Sequence, residues 1–395
     1  MKRMKKQELK PQNSYYEGIS ERFGMAQVLI YLCLLAFVSV SLLANTHMIT
    51  YQNLYYFIKD LNAAAEQVDV MQSDAVSYPT DRSQSFTLYR QGLAVAGNTS
   101  VTLFTASGRQ TVSRNVQYQN PTAIGSGKYL LVYEQGGTKY SLYNSYTQIH
   151  AGKTDAPIRC ATMSTGGMYA FVTDSDQYAS VMELFSSDFE LINRYRYNSY
   201  VTDVAIDEKG DYLAALISDT KNGEFSTSVR FYRPREESIF SEVDVSRSLG
   251  LRCQFTQSGE LSILCGNGVY YASVGGKLIT ESSFEGSSPV AFDLNRDGCV
   301  VILKKSGNIL ENQIIVFDKS GKMMYNGEVD QTVHGVALGE GFVCVMLSGE
   351  ILRIRAEDGQ RQSISCETEN RVMLAARDGS VLLCSPKKAV SYRFS

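Results

Sequence analysis

Residues 207–216 read DEKGDYLAAL: a polar turn that carries a glycine, then a run of small apolar residues. The same two-part phrase returns as STGGMYAFV (164–172), QSGELSIL (257–264), RDGCVVIL (296–303), GEGFVCVML (339–347) and RDGSVLLC (377–384). Gly and Asp supply the tight backbone of a short hairpin, and the apolar run behind it reads as a strand. A second phrase, a strand running into another turn, follows at VTLFTASGRQ (101–110), YSLYNSYTQ (140–148), VMELFSSDFE (181–190), YYASVGGKL (270–278), IIVFDKSGKM (314–323) and ILRIRAEDGQ (351–360). Both phrases recur about every 40 residues, which makes four strands per unit and predicts an all-β fold, a β-propeller. The register places blades near 84–121, 122–157, 158–199, 200–246, 247–286, 287–330 and 331–369. The tail 370–395 holds only three strands, RVMLAA, SVLLC and AVSYRF, so an eighth four-stranded blade needs one strand from elsewhere. Val76–Tyr78 is the candidate, because a propeller closes by borrowing a strand from the other end of the chain and so removes an open sheet edge. Seven blades is the alternative count. A β-sandwich array fits the alternation but not the constant step.

Upstream of this pattern, Gly24 to Ala44 (GMAQVLIYLCLLAFVSVSLLA) contains no charged residue. As a helix it would reach roughly 30 Å, the thickness of a bilayer core. Lys2, Arg3, Lys5, Lys6, Lys10 and Arg22 all precede it, which predicts a cytoplasmic N-terminus and an extracytoplasmic large domain. A cleaved signal peptide ending near Leu42-Leu43-Ala44 is the rival, but its apolar region would be only 7–15 residues long. A buried core helix fits 10–14 apolar residues better than this length. Thr50 can cap a short stalk helix in which Tyr51, Leu54, Tyr55, Ile58 and Leu61 share one face. The expected layout is a cytoplasmic basic tail (1–23), a transmembrane helix (24–44), a stalk helix and connector (45–83) and a β-propeller (84–395).

Six cations and three anions in residues 1–24 leave 32 cations against 38 anions in the rest. An acidic large domain argues against nucleic acid as its partner, since phosphate binding requires clustered basic surface. Of eight cysteines, Cys33 lies in the apolar span. The other seven sit in strand-like runs such as LSILCG, with no CxxC spacing. They read as small buried hydrophobes, with a Cys253–Cys265 disulfide or a metal site as lesser alternatives.

The basic tail, single span, Tyr-rich segment and the stretch PTAIGSGKYLLVYEQGGTKYSLYN (121–144), with its PxxxGxxxxxVYxxGG spacing, resemble domain-of-unknown-function family 5711. Those are membrane-anchored propeller proteins of Gram-positive, Clostridia-like bacteria, and the likeness covers about residues 20–395. It implies an extracytoplasmic domain on the cell envelope and brings no assigned activity.

Motifs that carry chemistry are sparse. Asp293, Asn295 and Asp297, followed by Gly298, match the opening of a calcium loop. The twelfth position is Lys304 rather than an acid, and the six residues coincide with the repeated turn, so a hairpin is the favoured reading. A quinone-dependent dehydrogenase would stack its cofactor on Trp, and the chain has none. There is no GxSxG elbow, and His150 and His334 stand where blade-edge residues would. No catalytic residue, cofactor or firm metal ligand emerges. The sequence favours a non-enzymatic scaffold or recognition module for an extracytoplasmic protein or cell-wall partner. A hydrolase using acids at the propeller mouth is the alternative.

Overall fold

A computed structural model describes residues 14–44, 75–90, 92–221, 223–304, 311–367, 372–376 and 379–394. The chain divides into two compact units, Met1–Gln67 and Val68–Ser395. In the first, a helix runs from Ser14 to Ala44 and exposes large apolar side chains, among them Phe23, Leu35 and Phe37. Its side chains are described without a break from Arg22 to Phe37, and among the described residues no helix is long and apolar enough to cross a membrane. The expected 24–44 transmembrane helix is therefore not supported by the described residues. The expected stalk helix lies outside the described residues.

The second unit is a ring of eight antiparallel four-stranded sheets. Seven are continuous: 84–115, 121–153, 158–197, 200–246, 250–283, 288–330 and 335–365, hereafter blades 1 to 7. The eighth combines Val372–Ala375, Val381–Cys384 and Lys388–Tyr392 with Ala75–Ser77 as its outermost strand. Ala75 lies opposite Val390, Val76 opposite Ala389 and Ser77 opposite Lys388. The borrowed strand thus falls one residue upstream of the expected span, and the count is eight rather than seven. The first strands of successive blades touch one another around the whole ring, including Val372–Ala375 against Gln84–Tyr89.

Position in the ring explains the repeated sequence phrases. The second strand of each blade is covered on both sheet faces by its neighbours. It therefore reads as continuous small apolar residues: LLVYE in blade 2, YAFVT in blade 3, LSILC in blade 5 and FVCVM in blade 7 are buried at every position. Each fully buried Leu, Ile or Phe in such a layer contributes roughly 1.5–3 kcal/mol. Outermost strands alternate instead, as in Lys277–Ser283, where every second residue is exposed. An outer strand presents an unpaired edge, and the pairing of third to fourth strand carries a register shift in each of blades 1 to 6. Such bulges twist the edge away from further pairing. All eight cysteines are free; six are buried, Cys366 is half-buried and Cys33 lies on the N-terminal helix.

Candidate functional site

Each inner strand starts at the same end of the ring, where the loops between blades and the turns between second and third strands gather. We call that end the mouth of the ring. Four of the eight inner strands carry charge and four carry none. Arg159, Asp203, Arg252 and Asp293 lie on blades 3, 4, 5 and 6 in turn, while QSFTLY, PTAIG, GVALG and VMLA of blades 1, 2, 7 and 8 are neutral.

The two carboxylates are turned into the ring. Asp203 Oδ2 accepts the Cys253 amide of blade 5 at 2.9 Å, and Asp293 Oδ2 accepts the Leu338 amide of blade 7 at 2.8 Å. Ser85 Oγ accepts the Ala123 amide in the same way, 3.1 Å from blade 1 to blade 2. These side chains satisfy amide groups that a twisted, wedge-shaped blade contact would leave unpaired. Burial pushes the pKa of Asp203 upward, against the opposing pull of Arg252 and of the Cys253 and Val204 amides. Burial raises that of Asp293 as well. The two guanidiniums keep more exposure than Asp203. Arg252 keeps 59% of its side chain exposed and reaches Asp203 Oδ1 only at 3.8 Å. Its charge is felt at both flanking carboxylates, Asp203 and Asp293. Arg159 pairs with Asp174 and lies 5.0 Å over the ring of Tyr200.

Apolar exposure follows the same sector. Among the described residues, every large apolar side chain that the propeller exposes lies between 191 and 323, in blades 3 to 6. One group, Tyr200, Leu249, Val290 and Phe292, sits on or beside the inner strands at the mouth, 39–56% exposed. A second, comprising Leu191, Ile239, Phe240, Ile279 and Met323, lies on the outer strands near the opposite end. Beside the mouth, the middle hairpin of blade 4 is built from two nine-residue strands, Leu213–Lys221 and Glu224–Tyr232. The inner strand begins opposite Ser218 and the outer one ends opposite Thr227, so three residues per strand project beyond the blade, about 10 Å. Phe225 is exposed on this arm.

The residues singled out from sequence are occupied structurally. Asp293 and Asn295 grip Leu338 by both backbone groups, the amide at 2.8 Å and the carbonyl, through Asn295 Nδ2, at 2.8 Å. Asn295 Oδ1 caps the Asp297 amide at 2.8 Å, and Asp297 Oδ1 accepts from Gln257 Nε2 at 2.8 Å. The calcium-loop candidate is therefore a hairpin that staples blade 6 to its neighbours. Among the described residues no three His, Cys, Asp or Glu groups converge as metal ligands. His150 lies on the outer strand of blade 2, stacked on Phe189 at 4.6 Å, and burial lowers its pKa. His334, in the loop before blade 7, shares a 2.9 Å hydrogen bond with Ser348 Oγ. Cys253 and Cys265 form no disulfide. The inner-strand charges escaped the sequence reading. Their signal was present: IRCATM, YVTDVAI, GLRCQF and SPVAFDLN each embed charge in an otherwise uncharged inner strand.

Comparison with known proteins places this geometry in context. A family model described as a family of unknown function (DUF5711) matches residues 66–391. No curated protein matches the sequence. Among solved structures, the C-terminal WD40 domain of Sif2 is similar with a TM-score of 0.60 at 11% identity, covering 82% of this chain and 98% of that one. BamB from Moraxella catarrhalis gives 0.55 at 11% identity, over 82% and 99%. Chaetomium thermophilum Sqt1, bound to the N-terminus of the ribosomal protein L10, gives 0.54 at 9% identity, over 82% and 98%. At these identities the likeness establishes the propeller fold alone.

Proposed function

The chain belongs to the DUF5711 family of unknown function, and from that premise and the geometry of the ring we propose that it is a membrane-anchored, non-enzymatic scaffold whose propeller docks partner proteins outside the cytoplasm. One observation carries the scaffold reading: among the described residues of the propeller, every exposed large apolar side chain lies in or beside blades 3 to 6. Scattered apolar residues need no explanation, but concentration in one half of a ring is the mark of a docking surface. Solved propellers of the same fold include one bound to a peptide terminus of its partner, an engagement that suits a broad rigid face. Anchoring rests on the uncharged run 24–44 within a helix whose described apolar side chains are exposed, and on the cations that precede it. Cations beside a first span are retained in the cytoplasm, which puts the propeller on the other side.

The test is cross-linking in the native cells with full-length chain, before solubilisation, in wild type and in a Tyr200→Ser/Val290→Ser variant. The reading expects one or a few stoichiometric partners recovered with wild type and depleted at least fivefold with the variant. Recovery of no partner, or of the same partners at equal yield, overturns the docking surface. Protease added to intact spheroplasts should digest the propeller. Its protection there would overturn the topology, and a full chain left in the soluble fraction after lysis would overturn the anchor.

A further inference from the structure

We infer that the mouth of the ring at blades 4 to 6 takes an extended acidic and apolar peptide segment of a partner protein, with a carboxylate seated on Arg252. The inference deepens the scaffold reading and rests on it for the biological partner, though not for the binding chemistry. Within the mouth, hydrogen-bonding capacity is divided unevenly. Asp203, which is buried, and Asp293, which is half-buried, each commit an oxygen to the backbone of the next blade. The Arg252 guanidinium has five N–H donors in a planar fork, of which the 3.8 Å approach to Asp203 engages at most one weakly. The donors that an entering ligand meets are therefore cationic, and their geometry suits a bidentate carboxylate. Arg159, two blades away, is paired with Asp174 and held over Tyr200, which leaves Arg252 as the cation offered to a ligand.

The ground around these cations is apolar rather than polar. Tyr200 on blade 4 and Val290 and Phe292 on blade 6 are exposed on inner strands, with Leu249 in the loop just before blade 5, and the inner strands of blades 4, 5 and 6 touch in turn. A compact polyanion such as free phosphate would use the guanidinium and leave this surface wet, while a chain alternating carboxylate and aliphatic side chains covers both. The arm formed by residues 219–221 and 224–226 stands beside the mouth with Phe225 exposed, a wall against which an extended backbone can lie. Blades 7, 8, 1 and 2 offer neither charge on their inner strands nor, among the described residues, exposed large apolar side chains. The occupant is thereby confined to one side of the axis.

A displayed library of random twelve-residue peptides, selected on purified full-length chain in detergent micelles, tests this directly. The expected result is enrichment of Asp or Glu next to Leu, Ile or Phe. Individual selected peptides should bind about tenfold more weakly to Arg252→Gln, as for loss of one charge-assisted hydrogen bond. Phe292→Ser should weaken them without removing the acidic preference, and it guards against the case in which Arg252→Gln disturbs Asp203 and the fold. Enrichment of basic sequences, absence of enrichment, or peptides indifferent to both substitutions would each overturn the inference. So would competition in which dextran sulfate displaces the peptides completely while glycan-free acidic peptides show no saturable binding. If cross-linking in cells recovers a partner that ignores Arg252, the scaffold reading stands and this site falls. If the library enriches acidic peptides but cells yield no partner, the reverse holds.

Discussion

Tyr78 is where the closure of the ring can be put to a quantitative test. It follows the borrowed strand, is 7% exposed, and donates its hydroxyl to the Ser385 carbonyl at 2.7 Å. Its amide donates to the Lys387 carbonyl at 3.0 Å, and its ring packs 5.6 Å from Phe86 and 6.4 Å from Phe104. One residue thus joins the eighth blade to the first. Tyr78→Phe removes the hydroxyl and strands the Ser385 carbonyl, costing about 1–2 kcal/mol. Tyr78→Ala also removes a buried ring, for a total of about 5 kcal/mol. A cooperative unit of about 320 residues has an unfolding entropy of ~0.7 kcal/mol/K, so the two variants should melt about 2 °C and about 7 °C below wild type. Thermal unfolding of the full chain in detergent, followed by circular dichroism, reads both. Tyr200→Ala, at an exposed ring, is the control and should shift the midpoint by less than 2 °C. If Tyr78→Ala melts no lower than that control, the strand Ala75–Ser77 does not hold the ring shut and the reasoning fails.

Three further outcomes are expected. Burial raises the Asp203 pKa, so its share of stability is present below the unfolded carboxylate value of 3.8 and is lost as pH rises through the folded value. Asp203→Asn, which keeps an acceptor for Cys253, should therefore gain relative to wild type between pH 4 and pH 7 in urea titrations; a constant difference would refute this. Gly298 sits at φ 143° and an added Cβ would collide with the Phe317 carbonyl, whereas Gly341 at φ 77° has open space around it. Gly341→Ala should cost about 1 kcal/mol in denaturant melts and Gly298→Ala clearly more, and equal costs would contradict the turn geometry. Burial pushes the thiols of Cys265 and Cys344 up to about 12, and six cysteines are buried in all. Native chain should react with a thiol reagent at Cys366 well before those six, which should require denaturant; early labelling of Cys344 would show that blade 7 opens.

The blade register was legible because the covered second strand must be apolar on both faces, so its sequence is nearly the same phrase in every unit. The strand near Val76 could be found by counting, since three strands in the tail leave an edge that needs a fourth. Residue-level roles were less accessible. Asp293-Leu-Asn295-Arg-Asp297 looks like a cation loop in one dimension. Its first two oxygen-bearing side chains, however, point across a blade interface at Leu338, 45 residues on. Arg252 and Asp203 are 49 positions apart, and only closure of the ring shows that one faces water and the other faces protein. Apolar exposure was equally hidden: Phe292 and Phe255 occupy similar strand contexts, yet one is exposed and the other is 2% exposed.

The pairing of Val76 with Ala389 also sets a timetable for making this protein. The borrowed strand leaves the ribosome early, and its partner does so about 310 residues later, roughly 15–60 s at ordinary rates of synthesis. Throughout that interval Val76 and Tyr78 have no blade to enter, and blade 1 lacks its neighbour. A nascent chain can complete single blades but cannot close the circle until residues 388–392 are free. Truncation anywhere upstream of residue 388 would leave an open crescent with two live edges. Quality control could recognise such a product by exposed strand edges alone, without reading any functional site.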